Sequence, residues 1–152
     1  MAFKVEQVDW QSASHRLIEL REQVFVLEWQ LPREAEFDKD DETALHIIVS
    51  DTDNKTIATA RLKLTGEIGR IAIRMGYRNI DVYKQLFGAL VTLAYSLNID
   101  TLTMNCDLNT VTHHESLGFV CSGAAFMEAG IARQPMSCPL SAFKLPDAEH
   151  LH

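Results

Sequence analysis

A change of period constrains this chain more than any other feature. Leu45 to Ser50 is an apolar run, and Asp51-Thr52-Asp53-Asn54-Lys55 is a turn cluster. Ile57 to Leu64 then alternates apolar and polar residues, the period of a half-buried strand. Thr65-Gly66 turns the chain into Ile68 to Arg74, which completes a meander of hairpins. Just beyond, the period becomes 3.6. Val82, Leu86, Leu90, Leu93 and Leu97 form one stripe of a long helix.

The flanking segments extend the plan. Lys4 to Val8 is a short strand candidate, and Ser12 or Ser14 caps a helix running to about Glu28. Leu17, Leu20, Val24 and Leu27 give that helix its apolar stripe. Trp29 to Glu42, with Pro32 and many acids, reads as a long loop of the kind that is often functional. After the long helix come a strand core at Leu102-Thr103-Met104 and a short helix from Asn109 to Leu117, ended by Gly118. Val120 to Met127 and Met136 to Lys144 are the last two strand candidates. The result is a mixed α/β (α+β) plan in a single domain spanning residues 1–152.

Bulk properties narrow the function classes. The net charge of −7 argues against broad nucleic-acid binding, which needs a basic footprint. No apolar run approaches the roughly 20 residues that span a bilayer. Met1 to Glu6 lacks an apolar signal core, so a cytoplasmic location is expected. Cys106, Cys121 and Cys138 form no CxxC pair and suggest neither a zinc site nor a disulfide framework.

The element order resembles the GNAT superfamily of acyl-CoA N-acyltransferases, and local motifs are similar to its ElaA-like branch. Arg21-Glu22-Gln23-Val24-Phe25-Val26 is similar to that branch's first-helix pattern, with Glu28-Trp29 following. Glu36, Asp38, Asp41, Ala44 and His46 match its E-x-D-x-x-D-x-x-A-x-H spacing. Ala58-Thr59-Ala60-Arg61-Leu62 and Ile68-Gly69-Arg70-Ile71-Ala72-Ile73 match its third and fourth strands, and Leu117-Gly118-Phe119 its late LGF signature. Glu128, Gly130, Ile131 and Met136 fit E-x-G-I-x-H-x-x-M, with Arg133 in place of the histidine. The resemblance runs from about Leu20 to Met136 and rests on the pieces occurring together in this order.

The resemblance implies a central mixed, mostly antiparallel sheet with splayed fourth and fifth strands, flanked by helices. It implies an acetyl-CoA or other acyl-CoA substrate and a small-molecule or peptide amine acceptor, with a homodimer as one assembly. The backbone of Ile71-Ala72-Ile73 is expected to pair with the pantetheine arm as an added strand would. The family's phosphate loop, R/Q-x-x-G-x-G/A, corresponds to Arg78-Asn79-Ile80-Asp81-Val82-Tyr83, whose backbone N–H groups and helix N-terminus would face a diphosphate. Asp81 and Tyr83 stand where small residues belong. Asp81 also reads as a helix cap, and Tyr83 as a residue of the core or groove rim.

Catalytic candidates follow from the same alignment. His114 stands where a tyrosine commonly protonates the leaving thiolate, while Asp107, where a glutamine is common, is expected among the cofactor-binding residues. A histidine can supply that proton near neutral pH. His46, Glu36 and Asp38 are candidates for the base or for attracting a cationic amine, with Glu128 a further acid beside the late strand. His113-His114-Glu115 is a poor chelate, because adjacent helical residues point in different directions, and no metal is expected. Two alternatives stay open: a GNAT-fold protein that binds a ligand or partner without turnover, and an acyltransferase that takes a carrier-protein thioester. Arg70, Arg74, Arg78 and Lys84 would meet an acidic carrier.

Overall fold

The computed structural model describes residues 3–145, except the side chains of Glu34 and Ala35. Strand β1 (Lys4–Asp9) leads into helix α1 (Trp10–Arg21), which continues as a π-helical segment over Glu22–Glu28. Short helix α2 (Arg33–Glu36) and a 3-10 turn at Lys39–Glu42 carry the acidic stretch. Strands β2 (Leu45–Ser50), β3 (Thr56–Leu62) and β4 (Ile68–Ile73) form the expected meander, and helix α3 (Ile80–Ser96) follows. The chain ends with β5 (Thr101–Asp107), α4 (Val111–Ser116), β6 (Val120–Cys121), β7 (Phe126–Glu128) and β8 (Ile131–Pro139).

The strands make two antiparallel sheets, ordered β1-β2-β3-β4 and β5-β8-β6, with β7 also paired to β8. A single parallel bridge between Glu67 and Thr103 joins them, closed by the Thr103 N–H donating to the Gly66 carbonyl at 3.0 Å. Beyond that bridge β4 and β5 share no ladder, so the layer is continuous at one end and splayed at the other. This is the expected mixed α+β plan with its fourth and fifth strands splayed.

Helices cover both faces of the first sheet. On β2, Ile47 and Val49 join the main core with Leu86, Leu90 and Leu93 of α3, while Ile48 between them packs against Ala13 and Leu17 of α1. That alternation is the pleat of a strand buried on both sides. It also corrects the half-buried reading of β3, all of whose residues are buried. Its polar face is roofed by α1 and the acidic segment: Thr59 Oγ1 donates to the Ile47 carbonyl at 2.8 Å, and Arg61 is ion-paired.

Several element boundaries differ from expectation for local reasons. The cap of α1 is Asp9, whose Oδ1 accepts from Ser12 N–H at 2.8 Å, so Ser12 is inside the first turn. Leu17, Leu20 and Val24 are buried as the stripe requires, but Leu27 is 62% exposed. The wider π turn rotates the following side chains and puts Phe25 inside instead. The stretch Val120 to Met127 splits into β6 and β7 around Ser122–Ala125. The last strand starts at Ile131 rather than Met136 and ends at Pro139, before a 3-10 turn at Leu140–Ala142. Gly118 has φ +105°, and a Cβ there would lie 2.4 Å from the Ala142 carbonyl oxygen. This explains the glycine after α4 by close approach as well as by capping. No helix among the described residues is long and apolar enough to cross a membrane.

Candidate functional site

The splay opens into a cleft of about 540 Å³. Gly69, Arg70 and Ile71 of β4 form one wall and Met104 to Asp107 of β5 the other. Tyr83 and Phe87 of α3, with His113 and His114 of α4, line it as well, as do Glu36 and Asp38 of the acidic segment and Glu128, Ile131 and Arg133 around the last hairpin.

The β4 wall is distorted. Thr59 pairs with Ala72 and Arg61 with Gly69, so Arg70 and Ile71 together oppose the single residue Ala60. This is a β-bulge, and Arg70 takes φ +51° within it. A left-handed non-glycine residue persists only where surrounding contacts hold it. Here Arg70 Nη2 donates to Asp38 Oδ2 at 2.9 Å and Nε to the Glu36 carbonyl at 3.2 Å. The bulge interrupts the β3–β4 ladder at residues that line the cleft. No composition signal marks it, and sequence reasoning missed it.

The acidic motif is mostly a structural lock. Arg21, at the end of α1, is 1% exposed and lies between the rings of Trp10 and Phe37. Its guanidinium donates to Asp41 at 2.8 and 3.2 Å and to the Glu36 carbonyl. Arg61 reaches the same Asp41 at 3.0 Å and Asp38 at 2.8 Å. Asp38 and Asp41 also cap the 3-10 turn reciprocally. His46, expected near the acceptor, is 1% exposed and does not line the cleft. The Asp41 carbonyl lies 3.0 Å from its Nε2, so that nitrogen carries the hydrogen, and Trp10 tilts against the ring. Burial lowers its pKa, which fixes it as a neutral prop. Of the motif residues, Glu36 and Asp38 reach the cleft. Burial raises the pKa of Glu36, and the nearest ion-pair partner, Arg70 Nε, is 3.9 Å away.

His114 lines the cleft and is mostly buried. Its Nδ1 is 2.9 Å from the Thr110 carbonyl, which can only accept, so Nδ1 carries the hydrogen and Nε2 a lone pair. Burial, aided by neighbouring His113, holds its pKa down to about 4. The ring is therefore neutral near pH 7 and takes a proton before it can give one. Asp107 lines the cleft at the end of β5 and is ion-paired to Arg133 Nη1. Arg133 is the residue that replaces the motif histidine. That substitution was the only sign in the sequence of its place here.

The loop Arg78 to Tyr83 is assembled differently from expectation. The cap of α3 is Asn79, whose Oδ1 accepts from Val82 N–H at 3.1 Å, and not Asp81, which is exposed in the first turn. Arg78 Nη2 is bonded to Glu28 Oε1 at 2.7 Å, Nε donates to the Ile73 carbonyl at 2.9 Å, and the guanidinium stands over Trp29. Arg78, Asn79, Ile80, Asp81 and Val82 do not line the cleft, whereas Tyr83 does, edge-on to His113. Desolvation raises the Tyr83 phenol, keeping it a neutral donor. Of the fourth-strand triplet, Ile71 lines the cleft, and Ala72 and Ile73 are buried in the core. Three of the four basic residues near the loop are ion-paired: Arg70 with Asp38, Arg74 with Glu19 at 3.3 Å and Arg78 with Glu28. They do not form a bare cationic patch.

Two helix-flanked sheets, joined at the Glu67–Thr103 bridge and splayed beyond it, enclose a cleft of mixed polar and apolar lining. The acetyltransferase (GNAT) domain family model matches residues 2–140, and the chain belongs to that family. A Bacillus subtilis protein named uncharacterized N-acetyltransferase YjcF is 28% identical over 121 residues, 77% of this chain and 86% of its own. The structure is similar to an acyl-CoA N-acyltransferase from Pseudomonas aeruginosa, with TM-score 0.80 and 20% identity over 90% of this chain and 99% of that one. It is also similar to Escherichia coli ElaA, with TM-score 0.77 and 23% identity over 89% of this chain and 99% of that one. At these identities the two structures speak for the fold alone.

Proposed function

We propose that this protein transfers an acyl group from acyl-CoA to an amine by direct attack on the thioester. The observation that carries this reading is the splay beyond the Glu67–Thr103 bridge, which leaves one edge of β4 without a strand partner beside the cleft. An extended pantetheine arm presents amide groups that such an edge can pair with, whatever the side chains. The bulge at Arg70 and Ile71 lies in the cleft wall, where a backbone N–H freed from the ladder could stabilise the oxyanion formed on attack.

The proton route follows from the protonation states. As the amine nitrogen bonds to the carbonyl carbon, its N–H becomes far more acidic than in the free ammonium. A weak base then suffices: Glu36 can first take the proton that frees the lone pair of an ammonium acceptor, and the bare Nε2 of His114 can take the second proton after attack. The carbon–sulfur bond breaks as the oxyanion collapses. An imidazolium with a pKa of about 4 is a strong acid for its type and returns its proton to the departing thiolate. His114 thus takes up a proton first and protonates the leaving group second.

A second reading, ligand binding without turnover, is favoured by the ion pair that ties Arg78 to Glu28 and by the Tyr83 ring in the cleft. Thermal melting with acetyl-CoA, followed by thiol release in a panel of amines, separates them. Acyl transfer predicts stabilisation of about 2.7 kcal/mol at a hundredfold excess over Kd, together with amine-dependent thiol release. Stabilisation without thiol release supports the second reading. No change in melting over a wide range of acetyl-CoA overturns the first.

A further inference from the structure

Arg133 is the least committed cation in the cleft. Asp107, from the end of β5, holds its Nη1. Its Nε is buried and has no hydrogen-bond acceptor among the described residues, and Glu128 stops 3.8 Å from it. A buried guanidinium N–H without an acceptor is costly, and a ligand carboxylate is the group that best matches the fork. The other cations are engaged. Lys63 lies between Asp40 at 3.0 Å and Glu67 at 2.7 Å, and Arg70 is bonded to Asp38. Arg61 also has an Nε without an acceptor, but its Nη1 is shared between two carboxylates and its side chain is 4% exposed.

Beside Arg133 stand two loosely paired carboxylates. Glu36 is buried, with its nearest ion-pair partner 3.9 Å away, and Glu128 has only the 3.8 Å approach to Arg133. Glu36, Glu128 and Arg133 all line the same cleft. A simple amine would use the acids and leave Arg133 Nε without an acceptor. A purely anionic ligand would be repelled by Glu36 and Glu128. A group carrying both charges on neighbouring atoms satisfies the whole cluster.

We propose that the acceptor is a zwitterion of the free α-amino-acid type, its carboxylate taken by Arg133 and its ammonium by Glu36 and Glu128. This deepens the acyl-transfer reading and rests on it for the fate of the amine, although the binding itself needs no donor. Each hydrogen bond to a charged group that is lost on binding the wrong ligand costs about tenfold or more in affinity.

The test uses ligand-observed saturation-transfer NMR on the full chain without any donor. The probes are the common L-amino acids, then the amide and the decarboxylated amine of the best binder. The expected result is that the amino acid binds at least about tenfold more tightly than either analogue. Arg133→Met should abolish that difference, and Arg133→Lys should retain part of it. Circular dichroism and the acetyl-CoA melting shift confirm that both variants are folded. Equal or tighter binding of the amide or amine overturns the proposal, and so does the absence of signal from every amino acid. Amino-acid binding without any acetyl-CoA binding sinks the acyl-transfer reading and leaves this site standing. Acetylation of simple amines with no preference for a carboxylate does the reverse.

Discussion

His114 shows how a single side chain can be chemically defined by where its neighbours place it. Burial and His113 hold its pKa down to about 4, and the Thr110 carbonyl fixes the tautomer. The same shift couples the residue to stability. In the unfolded chain a histidine takes its proton near pH 6.5. Above that pH both states are neutral at this position and nothing changes. Below it the unfolded state binds the proton first, so stability falls as the pH is lowered and levels off once the folded ring is also charged, below about 4. The size of the loss is on the order of 3 kcal/mol for this residue. His46, also depressed by burial, adds in the same direction. Urea unfolding at pH 7 and pH 4.5 should therefore show a marked loss in the native sequence and a smaller one in His114→Phe. An equal loss in both would mean that the ring is not buried neutral.

At the level of elements, the acidic stretch is held by a buried ion cluster rather than by regular structure. Asp41 carries both Arg21 and Arg61, and all three side chains are almost fully withdrawn from water. Removing one member of such a cluster leaves its partners charged and unpaired in a low-dielectric site. Asp41→Ala should lower the unfolding free energy by about 3–5 kcal/mol, read from denaturant melts. A change below about 1 kcal/mol is what an exposed pair gives and would contradict the burial. The cluster also explains why this segment is short of strand or long helix yet ordered at the cleft. Its backbone is pinned where Arg21 and Arg70 both donate to the Glu36 carbonyl.

Over the whole molecule, contacts between distant parts of the chain decide which charges at the start of α3 are already paired. Glu28, at the end of the π-helical segment, holds Arg78 at 2.7 Å, fifty residues away in sequence. That pair occupies the Arg78 guanidinium, and the same hydrogen bond holds the Glu28 carboxyl below the usual range. If the acyl-CoA reading is right, Glu28→Gln should free Arg78 and tighten acetyl-CoA binding by roughly threefold to tenfold, measured by calorimetry at low salt. The gain should shrink as salt is raised, because exposed charges are screened. Weaker binding in that variant would show that Glu28 orients Arg78 for the ligand instead of withholding it.

The meander of β2 to β4, the long α3 and the glycine after α4 were legible in the residues, because side-chain period and turn chemistry are local properties. The GNAT order of elements was legible for the same reason, as several short motifs fell at consistent spacings. What was not legible depended on contacts across the fold. Nothing near Leu27 announces the π turn that exposes it, and nothing near Arg70 announces the bulge that Asp38 and Glu36 stabilise. The cap of α3 passed from Asp81 to Asn79 because caps are set by backbone geometry, for which both residue types qualify. The motif that ends in His46 carries the same residue types whether they serve as a base or as a prop. The sequence by itself determined the order of strands and helices and the family they spell. Only the tertiary structure decided which charges face the cleft and in what protonation state, because desolvation and pairing arise from residues far apart in the chain.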